Sequence, residues 1–162
     1  MSVLKNKRGL SKMEFYHNAR KLRRDMTEFL RRDFGVHSRK NASKTDPTLP
    51  DDWYDEDIAE TARNIRLLLR NLMWNITAAN TIYAKDEKEL SDRRRYQTAA
   101  IINCQQLIQE LQFCEDSLPI KAEKLLPYVE AVGLEITLLK GWRKSGNRLA
   151  GKIAGGEAAG EK

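Results

Sequence analysis

Arg20, Arg24 and Arg31 fall one and two turns apart on one helical side, flanked by Lys21, Arg23 and Arg32. Arg63, Arg66 and Arg70 repeat at steps of three and four, and Trp74 follows one turn further along the same side. Lys140 and Lys144 make a third stripe, which Arg148 extends if the helix survives Gly146. Guanidinium groups at such spacing can follow successive phosphates and form bidentate contacts, and a neighbouring indole can stack on an unpaired base. A solvated or ion-paired helix face is the ordinary explanation of any single stripe. Three of them, with a basic N-terminal third, make nucleic acid an equal contender. Recognition of this kind reads the backbone more than the bases, so binding should be salt-sensitive and weakly sequence-specific.

The residues that carry catalysis are sparse. The chain has two histidines, His17 on a basic helix side and His37 in an expected loop, and neither is spaced from a cysteine or carboxylate as a metal ligand would be. It contains no H-x-x-x-H, no C-x-x-C, no Gly-rich phosphate loop and no nucleophile elbow. The carboxylates between Asp51 and Glu60 read as the solvated, acidic start of a helix rather than a cation site. The paired E-x-x-H pattern of bundle metal sites is missing as well. The expectation is a protein that is not an enzyme and has no cofactor and no metal.

The charge that dominates this chemistry is unevenly placed. Of 162 residues carrying a net charge of +6, residues 1–46 hold 13 basic against 5 acidic, and residues 47–92 hold 5 against 10. A chain of this length suits one domain with one core. Its two cysteines, Cys104 and Cys114, fall in one expected helix about 15 Å apart, too far to bridge. No apolar run approaches the roughly 20 residues of a membrane span. A reduced, soluble, cytoplasmic protein with no membrane association is expected.

The elements that must position the basic stripes are helices. Ser11 and Glu14 form a capping-box pattern and Gly35 a stop, with Phe15, Ala19, Leu22, Met26 and Phe29 as the seam between them. Residues 35–51 read as a long loop containing Pro47 and Pro50. Asp51 and Asp52 can cap a second helix with the seam Ile58, Ala62, Ile65, Leu69, Leu72, Ile76, Ala79 and Tyr83. A third helix is expected over 87–116, carrying Leu90, Ala100, Cys104, Leu107, Leu111 and Cys114 inward behind polar first turns that include Arg93, Arg94 and Arg95. Asp116-Ser117-Leu118-Pro119 signals the start of the last helix, which Pro127 either kinks or truly begins. The expected organisation is a basic extension over 1–10, an all-α antiparallel four-helix bundle over 11–146, and a disordered Gly/Ala-rich tail over 147–162.

The last helix has two apolar stripes when projected at 100° per residue: Leu125, Val129, Val132, Ile136 and Leu139, and Ala131, Leu134, Leu138 and Trp142. A monomeric bundle needs one, so the second is expected to be the interface of a symmetric homo-oligomer. Lys140 and Lys144 lie well around the helix from Trp142. The tryptophan is therefore read as an apolar interface anchor beside a basic stripe and not as part of a stacking patch.

Four blocks, FYHNARKLRRDMTEFLRRDFG, ARNIRLLLRNLMWNITAANTIY, RRRYQTAAIINCQQLIQELQF and VGLEITLLKGWRKSGNR, together resemble the accessory variability determinant proteins of diversity-generating retroelements. The resemblance covers about residues 11–148 and rests on helix order and charge placement rather than on a sharp motif. It implies a ring-like homopentamer of basic bundles, noncatalytic, that associates with the element's reverse transcriptase and with template-repeat RNA, and with DNA as an alternative. The complex copies that RNA mutagenically into cDNA. The positions carried over, by charge and placement, are the arginines of the first two helices. A structural or protein-interaction bundle with no nucleic-acid role is the alternative.

Overall fold

Apolar residues recurring at steps of three and four force each segment to bury one stripe. The computed structural model describes residues 13–32, 34, 53–118, 120–146 and 151. Within them lie four helices and no strand: α1 (Glu14–Arg31), α2 (Trp53–Thr81), α3 (Glu87–Ser117) and α4 (Ala122–Ser145). Each packs on two others, α1 on α2 and α4, and α3 on α2 and α4. Phe15 meets Trp142 while Phe29 meets Tyr128, so α1 and α4 run antiparallel. Asn75 meets Asn103 across α2 and α3, and Thr98 meets Arg143 across α3 and α4.

The expected seams form the core. Ala19, Met26, Ile65, Leu69, Leu72, Ile76, Ala100, Cys104, Leu107, Leu111 and Leu139 are all at most 1% exposed. Each large aliphatic side chain buried this way contributes roughly 1.5–3 kcal/mol. Several seam residues depart from expectation, Val129 and Ile136 of α4 being half-buried beside the core. Tyr83 is 80% exposed because α2 ends at Thr81, which leaves it in the connection to α3. Phe29 is half-buried and packs beside the core, and Leu30 takes the inner position next to it.

Helix ends differ more than seams do. α1 is 18 residues long, and its N-cap is Met13, which makes no side-chain cap hydrogen bond; Ser11 lies outside the described residues. At its other end Arg32 is the C-cap, and the left-handed residue beyond it is Phe34 (φ 56°). That backbone costs a bulky residue roughly 1–2 kcal/mol. Complete burial of the ring, edge-on to Phe29 at 5.6 Å, offsets it. The expected stop at Gly35 and the loop over 35–51 fall outside the described residues, apart from the preceding Phe34.

α3 opens on a reciprocal cap that the sequence reading passed over: Asp86 accepts from the Glu89 N–H at 2.8 Å, and the Glu89 carboxylate accepts from the Lys85 N–H at 2.8 Å. Its far end overturns an expectation. Asp116 and Ser117 complete α3 rather than starting the last helix. The chain then turns through Leu118 and Ile120, which are 5% and 8% exposed and plug the end of the core, and Lys121 is the N-cap of α4. Pro127 lies inside α4, beyond its first turn, so the helix begins ahead of it.

The core is not wholly apolar. Glu135 is fully buried, with Oε2 accepting from Asn18 Nδ2 at 2.9 Å, and that amide also donates to the Ala131 carbonyl at 3.2 Å. Glu135 Oε1 has no hydrogen-bond partner. Burial pushes its carboxyl up to about 7, against the opposing effect of the Asn18 hydrogen bond. Both cysteines are free and buried. Burial, and then the charge of Glu135, raises the Cys104 thiol, while burial and then Glu110 push Cys114 up to about 12, so neither is a ready nucleophile.

Candidate nucleic-acid interface

Outward-facing residues of an antiparallel α1/α2 pair must meet along one shallow groove, and this is where much of the positive charge collects. Arg20, Arg23, Arg24 and Arg31 line it from α1, with Tyr16 and Met73 as its apolar floor. The groove continues over α2, where Arg23 and Met73 are joined by Leu67, Arg70 and Trp74. The Arg20 guanidinium lies over the Tyr16 ring, 5.8 Å from its centroid. Trp74 is 69% exposed, an indole open to a ligand beside cations.

Part of this charge is already compensated. Arg24 pairs with Asp25 at 2.8 Å, and Glu28 takes Arg31 at 3.5 Å and Arg32 at 3.1 Å. All three pairs are solvent-exposed, where such contacts contribute about 0–1 kcal/mol. A phosphate can replace them at little cost. Arg20, Arg23 and Arg70, which also line the groove, form no ion pair among the described residues.

The structure does not bring all the expected residues together. Arg63 and Arg66 are exposed on α2 but do not line the groove, and Arg63 Nε reaches back to its own helix at the Ala59 carbonyl, 3.4 Å away. Lys140 and Lys144 lie across the bundle, in a cleft between α3 and α4 with Arg94, Thr98 and Arg143. Arg94 and Arg143 were not singled out from sequence, because only the antiparallel register of α3 on α4 sets them together. Arg148 lies outside the described residues.

The second stripe of α4 is shared with the chain's own core. Ala131, Leu138 and Trp142 are half-buried against the chain's own core. Trp142 stacks on Phe15, with centroids 4.2 Å apart and planes at 18°, and Arg93 lies over it at 5.7 Å. Leu134 alone of the four is exposed, at 50%.

No group of three His, Cys, Asp or Glu side chains among the described residues is placed to hold a metal ion. No helix among the described residues is long and apolar enough to cross a membrane. No protein-family model, curated protein or solved structure matches the chain.

Proposed function

We propose that this protein is a noncatalytic nucleic-acid-binding accessory subunit of a diversity-generating retroelement. In this reading it assembles as a homo-oligomer and supports the reverse transcriptase as it copies template-repeat RNA into cDNA. The observation that carries the binding half is the groove in which unpaired Arg23 and Arg70 flank the exposed indole of Trp74. Cations that track a backbone beside a ring that stacks on bases are what an unpaired strand requires. The reverse-transcriptase half rests on the resemblance of the four helical blocks to accessory variability determinant proteins.

A second reading is a bundle that meets other proteins, favoured by the exposed Ile102, Phe113, Leu126 and Leu134. Fluorescence anisotropy with an unstructured oligoribonucleotide across a salt series separates the two. The first reading expects an affinity that falls steeply with salt and is lost on reversing Arg20, Arg23 and Arg70 to Glu. Binding that is absent, or indifferent to those reversals, rejects it. Co-purification with the reverse transcriptase tests the partner.

A further inference from the structure

The ring order α1–α2–α3–α4 sets the α3/α4 cleft on the face opposite the α1/α2 groove. The two differ in chemistry. Arg94, Thr98, Lys140, Arg143 and Lys144 line a cleft of about 580 Å³ with no acidic residue and no ring among them. The α1/α2 groove, by contrast, includes Asp25, Glu28, Tyr16 and Trp74.

Lys140 and Lys144 are exposed, one turn apart, and form no ion pair among the described residues. Arg143 is half-buried, and its Nη1 donates to Thr98 Oγ1 at 3.2 Å, which fixes the guanidinium at the wall of the cleft before any ligand arrives. Lys140, Lys144 and Arg143 share the cleft with no ion pair among the described residues, so these like charges repel one another, and an anion seated among them relieves that repulsion. Pre-positioning the arginine reduces the ordering cost of holding the anion.

We infer that the α3/α4 cleft is a second nucleic-acid site, one that takes the phosphodiester backbone of a duplex while the α1/α2 groove takes an unpaired strand. This rests on the nucleic-acid reading above. With no ring to stack on, the cleft gains nothing from unpaired bases, and it meets the outward phosphates that a duplex presents with its bases turned in. A bundle with these two faces holds a duplex and a single strand at once, as at a primer–template junction.

The test measures anisotropy of two labelled probes, a short blunt RNA duplex and an oligouridylate, against two variants whose helicity is checked by circular dichroism. Lys140→Glu/Lys144→Glu should weaken duplex binding about tenfold or more and leave oligouridylate within about twofold. Arg23→Glu/Trp74→Ala should do the reverse. The inference is overturned if the lysine variant weakens both probes alike, or if it leaves duplex binding intact. If wild-type protein binds oligouridylate and not the duplex, this inference falls and the nucleic-acid reading stands. If it binds neither probe, both fall.

Discussion

Trp142 lies flat on Phe15, with ring centroids 4.2 Å apart, and closes the seam between the last helix and the first. Arg93, from α3, also lies over the indole, 5.7 Å from its centroid, so one side chain ties three helices together. Trp142→Ala should therefore lower the unfolding free energy by about 2–4 kcal/mol, less than a fully buried tryptophan because this one is only half-buried. Urea titration checks it: the midpoint should fall with little change in slope. A variant as stable as the parent would return Trp142 to a role outside the bundle.

The route from sequence to Trp142 shows where helical projection stops working. Periodicity places a side chain around its own axis, and it located Leu72, Ile76, Leu107 and Leu139 in the core correctly. It cannot give the distance between neighbouring axes. Residues well off the central line can still meet a neighbouring helix, and Ala131, Leu138 and Trp142 do pack against the core. The same limit governs the charged surfaces: the arginines of α1 and α2 were legible as stripes. The meeting of Arg23 with Arg70, and of Arg94 with Lys140, needed the register between helices.

Glu135 makes stability depend on pH in a direction opposite to that of a salt-bridged carboxylate. Its folded carboxyl, pushed up to about 7 by burial, holds a proton that the unfolded chain, near 4.5, gives up earlier. The contribution is fully present below the unfolded value and falls as pH rises from there to about 7, with a loss of about 3 kcal/mol across the window. Glu135→Gln removes that titration. Denaturant melts of both proteins from acid to mildly alkaline pH should show near-equal stability at the acid end, and the variant ahead by about 3 kcal/mol at the alkaline end. A constant difference across the range would rule the mechanism out.

The cap on α3 is a local device and should behave as one. Asp86 accepts from the Glu89 N–H, and Glu89 answers to the Lys85 N–H. Asp86→Ala should cost about 1 kcal/mol, and Glu89→Ala, made on top of it, should cost less than it does alone, since the two contacts brace each other. A double-mutant cycle read by thermal unfolding supplies the coupling; strict additivity would mean the two bonds act separately.

Leu134 is the one member of the second α4 stripe that is exposed, so it carries what remains of the expectation that this stripe joins subunits. Leu134→Glu should leave the bundle folded and reduce the mass measured by light scattering, if that face is used in assembly. A protein that is monomeric before the substitution, or an oligomer unchanged by it, would move the interface to another surface such as that of Ile102 and Phe113.

Trp74 separates stacking from charge in the α1/α2 groove. The indole is exposed and neighbours Arg70 without contributing to the core, so Trp74→Ala should not alter the unfolding midpoint. Loss of one base–ring stack, roughly 1–3 kcal/mol, should weaken oligouridylate binding about tenfold while leaving the salt slope unchanged, because no phosphate contact is removed. Arg23→Ala should do the complementary thing, lowering both the affinity and the slope. The decisive comparison is of the two slopes, measured on one probe over one salt range. If Trp74→Ala flattens the salt dependence as much as Arg23→Ala does, the ring is positioning the cations and not receiving a base.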